Sequence, residues 1–327
     1  MKNISIILGV IVTLLLNSAC NKDNLFHHCP NCKSLPEIKE PSFGYSFSEG
    51  DYQYYSPCFN PNNANQFVFI FKDNVRKTQE LCIYDMSTQE KKVLTENDNL
   101  LFQPKWSSMN WIAFNTGHQI WRIKSNGDSL VAVTNSESSL YPAWSADGRE
   151  LLFEHSKNAG VPYNIVRYNF NTLQADTIKD QTCNLIVCNR NNTLMALGNE
   201  SRDSPNFKKS SIQAMDKWED IGNEMSNGGN RIAGIDWGND ESTLFITRRS
   251  TGLLRYDIAN SKEHQLKCSC DTRRYGYVSV SPDGNKILFE EYDAFLTGQG
   301  AGMAEENCSI HIIDANGRHD TKIEIPN

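Results

Sequence analysis

The sequence lacks a long apolar run. The stretch Ile4 to Leu16 is interrupted by Ser5, Gly9 and Thr13. As a helix it is too short to cross about 30 Å of hydrocarbon. Grouped positive charge is also missing. The formal net charge is −7, and the basic pairs Lys91-Lys92, Lys208-Lys209, Arg248-Arg249 and Arg273-Arg274 are scattered. That excludes a nucleic-acid surface, which needs clustered cations to displace counterions from phosphates. There is no Gly-x-Ser-x-Gly and no His-Glu-x-x-His, so a nucleophile elbow and a zinc-protease helix are both excluded. Between Pro41 and Asn327 no strong helical period appears, which argues against a bundle or an α/β domain.

What is present is a leader and a repeat. The 327 residues are 39% hydrophobic and 10% aromatic, enough to fill a real core. Lys2 followed by a short apolar run and then small residues fits a signal peptide over 1–19. The string Ser18-Ala19-Cys20 resembles a bacterial lipobox. That resemblance implies cleavage before Cys20, acylation of its thiol, and membrane attachment through the acyl chains. An ordinary signal peptide with a free cysteine is the alternative. Lys22-Asp23 is similar to surface-export signals of some lipoproteins, or else part of a polar tether. Residues 20–50 are read as the lipidated cysteine and linker.

From 51 to 327 the chain repeats itself. "SPCFNPNN", "QPKWSSMN", "YPAWSADG", "LIVCNRNN", "GIDWGNDE" and "VSVSPDGN" occupy one position in six successive units. Their anchors are Phe59, Trp106, Trp144, Cys188, Trp237 and Val280, between 38 and 49 residues apart, the spacing of propeller blades. After each anchor comes an apolar strand, such as "QFVFIF" or "ELLFEH". A second strand follows, such as "ELCIYDM", "QIWRIKS" or, in unit four, "SIQAMDK". A polar turn such as Asn126-Gly127 or Asn316-Gly317 leads to a short outer strand such as "LVAVT" or "TKIEI". A lone four-stranded sheet leaves both faces wet, whereas sheets arranged around an axis bury both. The expected fold is all-β: a six-bladed β-propeller of four-stranded antiparallel blades, with the anchoring tryptophans wedged between neighbours.

The pattern "YPAWSADG…ELLF…NIVRYN" is similar to the TolB-like β-propeller repeat, over about residues 52–327. The resemblance implies a propeller lipoprotein. Some propellers of this family are pectin-fragment lyases that hold a metal on several channel histidines. Here His118 and His155 follow corresponding strands and would face one another near the channel top. Two histidines fall short of that set, so no metal and no cofactor are expected.

Loops joining second and third strands share one face, and long polar loops on a rigid face favour binding. These joins are 72–79, Gly117-His118, 156–163, 200–210, Arg249-Ser250-Thr251 and the glycine-rich 292–308. The inserts in units four and six are the expected recognition surface. Candidate channel or top-face ligand residues are His118, His155, Glu154, Arg249, Glu290 and Tyr292. Gly127-Asp128-Ser129-Leu130 matches a hydrolase string, but it lies at a two-residue hairpin turn that would leave Ser129 in the outer strand, and it is read as coincidence. Ten cysteines less Cys20 leave an odd nine. Cys29 and Cys32 are read as a local disulfide or free thiols, with zinc as the alternative. The expected function is non-enzymatic: an outer-membrane lipoprotein, periplasmic or surface-facing, whose propeller face binds a protein or glycan. The alternative is a polysaccharide or oligosaccharide lyase or hydrolase using the channel. Ring closure by strand exchange would need "FGYSFS" (43–48) to join the last blade.

Overall fold

A computed structural model describes residues 50–97, 101–135, 138–156, 164–179, 183–198, 206–211, 219–220, 232–240, 242–248, 252–269, 273–297 and 302–326. Leader and linker, with Cys20, Cys29, Cys32 and the segment 43–48, lie outside these residues, as does Arg249. Every regular element described is a strand.

The first sheet comprises Tyr52–Asn60, Asn63–Asp73, Thr78–Asp85 and Glu90–Asn97 (β1 to β4). The second is Leu101–Trp106, Trp111–Thr116, Gln119–Lys124 and Val131–Ala132 (β5 to β8). The third is Ser138–Trp144, Glu150–Ser156, Asn164–Asn169 and Gln174–Lys179 (β9 to β12). The fourth is Cys183–Cys188, Thr193–Gly198, Asn206–Ser211 and Glu219–Asp220 (β13 to β16). The fifth is Ile232–Trp237, Thr243–Arg248, Gly252–Asp257 and Lys262–Cys268 (β17 to β20). The sixth is Arg273–Val280, Lys286–Thr297, Gly302–Asp314 and Thr321–Lys322 (β21 to β24). Each sheet takes four consecutive strands in order, all antiparallel. First strands touch in the cycle β1, β5, β9, β13, β17, β21 and back to β1. The chain is thus a propeller of four-stranded antiparallel blades.

Burial on both faces follows from strand alternation. In β2, Phe67, Phe69 and Phe71 pack toward Leu288 and Ile310 of the sixth sheet and toward Ile325 just beyond its last strand. Val68 and Ile70, on the other face, meet Trp106, Ile112, Phe114 and Ile123 of the second. All five are at most 1% exposed, and burying each such side chain stabilises by about 1.5–3 kcal/mol. The anchors wedge as expected: Trp106 against the first sheet, Trp144 against Ala113 and Ile120, Trp237 against Val187. The Ser-x-Asp-Gly turns have one construction. Gly148 and Gly284 take φ of 69° and 74°, and Ser145 and Ser281 each accept from the N–H five residues on at 2.9 Å.

Several segments differ from the sequence reading. Residues 292–297 and 302–308 are strand rather than loop: β22 and β23 extend their ladder, with Phe295 opposite Ala304 and Thr297 opposite Gly302. The glycines suggested a loop, but a ladder needs only backbone partners. The fourth sheet's third strand is Asn206–Ser211, earlier than "SIQAMDK", because Leu197 pairs with Phe207. The join at 72–79 shrinks to 74–77. "LVAVT" and "TKIEI" contribute only two ladder residues each, and Ser129 sits in the turn before β8, not in it.

One device was absent from the sequence reading. Every pairing of a first with a second strand is irregular within the five residues before its anchor, for example between Tyr55 and Cys58 and between Phe102 and Lys105. In three sheets the bulged residue precedes a proline and has positive φ: Ser56 at 52°, Gln103 at 51°, Tyr141 at 56°. Proline cannot donate to the ladder, and a bulge is where that loss costs least.

Among the described residues, hydrogen bonds from side chains join the sixth sheet to the first. Tyr54 and Tyr84 hydroxyls donate to the carbonyls of Ile325 (3.3 Å) and Glu324 (3.2 Å). Phe59 N donates to Ser279 Oγ at 3.1 Å. The Glu290 carboxylate accepts from Ser56 N, Tyr277 N at 2.9 Å and Tyr292 Oη at 2.7 Å. Equivalent clamps sit at the same position elsewhere. Asn115 Nδ2 donates to Ser139 O at 2.7 Å, and Thr247 Oγ1 donates to Gly276 O.

Candidate functional site

Strand alternation turns the residue before each anchor away from the anchor's own packing face. Those six residues are Cys58, Lys105, Ala143, Val187, Asp236 and Ser279. With the anchors they line a cavity of about 160 Å³ at one mouth of the channel. Asn189 and Arg190 extend its rim.

Most polar groups of this ring are committed. Asp236 Oδ1 accepts from Trp237 N at 2.9 Å and Oδ2 from Val280 N at 2.8 Å, tying the fifth sheet to the sixth. Burial pushes its carboxyl up, against the nearby charge of Lys105. Ser279 holds Phe59 N. Burial also raises the Cys58 thiol, against Lys105, so it stays protonated and is a poor nucleophile. Lys105 is different. Among the described residues its ammonium makes no ion pair or hydrogen bond. Arg190 on the exposed rim likewise meets no carboxylate among them. The mouth thus carries two cations, Lys105 and Arg190, without an ion-pair partner among the described residues, and nothing described there pairs a nucleophile with a base.

The sequence-derived candidates lie elsewhere. His118 is exposed in the β6–β7 turn, and its carbonyl accepts from Ser139 N at 2.8 Å. His155 Nδ1 lies 2.9 Å from Ser139 Oγ. Both histidines thus meet buried Ser139, one by backbone and one by ring. Glu154 is 3% exposed and lies on the opposite strand face from His155. Glu290 and Tyr292 do come together, but Glu290 is a buried clamp. The Tyr292 hydroxyl is driven well above its usual range by burial, with Cys308 and Glu290 adding to the effect. Arg249 lies outside the described residues; its neighbour Arg248 is buried and paired with Glu263. Gln103 Nε2 donates to the Tyr277 hydroxyl, linking the second and sixth sheets.

A third cluster sits between the fifth and sixth sheets. Ligand atoms of Glu291, His311 and Asp320 lie within 4.8 Å of one another. Lys267 Nζ is 2.6 Å from Glu291 and also pairs with Asp320, and Arg273 pairs with Glu291. Two cations already occupy this acidic pair, so the donor set suits an ion-pair network better than a metal.

Sequence reasoning missed Cys58, Lys105, Asp236 and Ser279. The signal was available: they form one column of the repeat, one residue before each anchor.

No protein-family description and no curated protein matches the chain. Solved structures do match. The putative TolB from Agrobacterium tumefaciens aligns at TM-score 0.59 and 14% identity, over 73% of this chain and 86% of that one. TolB from Acinetobacter baumannii aligns at 0.55 and 16%, over 83% and 63%. The fold is a TolB-like β-propeller. An oligogalacturonate lyase in complex with manganese also aligns, at TM-score 0.53 and 11% identity, over 83% and 78%. Identities this low show a shared fold alone.

Proposed function

We propose that this chain is a six-bladed, non-catalytic binding propeller. The channel mouth around Lys105 receives a carboxylate or other polar group of an envelope protein or glycan. In this reading Cys20 carries the lipid and the propeller works at the outer membrane, facing the periplasm or the surface. One observation carries the binding reading. Lys105 carries an ammonium that makes no ion pair or hydrogen bond among the described residues and acts on Asp236 and Cys58 only through its nearby charge, in a cavity whose other ring polar groups are engaged by backbone or held neutral. Support for the anchor comes from the leader and the Ser18-Ala19-Cys20 string.

The test is co-purification of partners from detergent-solubilised envelope, with wild type and Lys105→Glu compared at equal abundance. Loss of a partner with Lys105→Glu supports the reading, and an unchanged set overturns it. The second reading, an acidic-oligosaccharide lyase, is favoured only by His118 and His155 both meeting Ser139. It requires turnover of oligogalacturonate with added manganese, lost in a His118→Ala, His155→Ala double variant.

A further inference from the structure

The seam between the second and third sheets carries another cluster, which shares only Trp144 with the mouth cavity's lining. The Arg122 guanidinium on β7 lies between two aromatic rings, 4.2 Å from the Trp111 centroid and 3.8 Å from that of Phe170. Tyr168 packs on Phe170 at 4.9 Å and Trp144 at 5.5 Å. Lys124 Nζ lies 5.6 Å from the Trp111 ring. Among the described residues neither Arg122 nor Lys124 meets a carboxylate, although the chain's net charge is −7. A half-buried arginine in such a setting normally has a carboxylate partner, because burying an unpaired charge is costly.

The rim of this seam is apolar and open. Met109 is 55% exposed, Leu130 47%, Val131 44% and Leu173 70%. Val131 stands opposite Arg122 in the β7–β8 ladder and shares its face. Met109 lies against the Gly148 turn of the third sheet. Leu173 holds φ of 56°, a conformation that bulky side chains disfavour and that is worth examining where it persists at an exposed position.

Two chemistries could use such a patch. A sugar ring needs free aromatic faces, but here the Trp111 and Phe170 rings already sandwich the guanidinium. The stack holds the guanidinium plane fixed, with Nε buried and without a hydrogen-bond partner, so what remains for a carboxylate is the planar Nη edge, pre-oriented by the rings. Arginine, tryptophan and tyrosine ringed by apolar side chains is also the composition of protein-interface hot spots. We propose that this seam docks a protein partner that places an Asp or Glu side chain, flanked by apolar residues, on the Arg122 fork.

The experiment uses the full chain in its native host, with a photo-cross-linking benzoyl-phenylalanine at Leu173 and, separately, at Leu130. The expected result is a protein adduct whose cross-linked peptide contains Asp or Glu. Its yield should fall about tenfold or more with Arg122→Gln, the loss expected when a desolvated charge pair is broken. Lys124→Gln touches no packed core and should lower the yield several-fold with an unchanged melting curve, which guards against Arg122→Gln simply unfolding. Lys105→Glu should leave the adduct intact, separating this surface from the channel mouth. The proposal is overturned by an adduct on polysaccharide, by a peptide without a carboxylate, by a yield insensitive to both Arg122 and Lys124, or by no adduct at either position.

Discussion

Replacing Glu290 with glutamine tests whether the ring is latched by a buried carboxylate. Glu290 is 1% exposed and accepts three hydrogen bonds, from Ser56 N, Tyr277 N and Tyr292 Oη. Glutamine keeps the shape but turns one acceptor into a donor. With its oxygen toward Tyr277 and Tyr292, its amide nitrogen faces Ser56 N. Flipped, it faces Tyr277 N while the tyrosine hydroxyl rotates to accept. Either way one buried backbone N–H loses its partner, at about 1–3 kcal/mol, and the surviving bonds lose charge assistance. Relief from burying a charge offsets part of this. The net expectation is about 2–3 kcal/mol. For a propeller of this size that is a melting temperature lower by roughly 4–12 °C. Thermal unfolding followed by tryptophan fluorescence measures it, and hydrogen exchange locates it: the Ser56 and Tyr277 amides should exchange faster than amides of the β9–β10 pair. A melting point within about 2 °C of wild type, or acceleration spread evenly over all sheets, would refute the latch.

Three further outcomes follow from other contacts. A Cβ on Gly276 would lie 1.7 Å from Glu290 Oε2, so Gly276→Ala should destabilise by about 2 kcal/mol or more. Combined with Glu290→Gln it should cost less than the sum, since both disturb one latch; full additivity in denaturant titrations would count against this. Leu173→Asn places a residue suited to positive φ in the β11–β12 turn and should raise stability by about 0.5–1 kcal/mol while weakening partner capture; a lower melting point would sink the strain argument. Acid should loosen the turns. The Ser281 hydroxyl and Asn285 N–H hold Asp283 below its usual range, and Lys286 with His319 does the same for Asp314. Depressed carboxylates contribute stability that is present above about pH 3.9 and lost as pH falls through their folded values. Melting temperature should therefore drop below about pH 4, less steeply in Asp283→Asn, and an identical acid profile in that variant would contradict the assignment.

The blade pattern was legible because it rests on local chemistry. Trp106, Trp144 and Trp237 mark first-strand ends, and Ser-x-Asp-Gly builds its own turn from side-chain oxygens. The core strands were legible too, since "FVFIF" makes sense only with both faces covered. The mouth was not. Lys105 and Asp236 look like ordinary strand charges until the six first strands converge. Glu290 and Glu154 looked like channel ligands because they follow apolar strands. Their burial depends on bulges in adjacent strands, which Ser56-Pro57, Gln103-Pro104 and Tyr141-Pro142 signal only once their φ angles are known. The extended ladder over 292–297 and 302–308 was misread because glycine content speaks to turn preference, whereas ladder extension is decided by pairing.

The contact between Tyr54 and Ile325 joins residues 271 apart in sequence. On a ribosome, each new sheet can settle against the one made just before it. The last gap cannot shut until residue 325 has emerged, so an incomplete product is an open crescent with two naked apolar walls. Such a crescent is a natural substrate for chaperones while it waits, and the slow step of maturation is expected at that final click rather than in the growth of any one sheet.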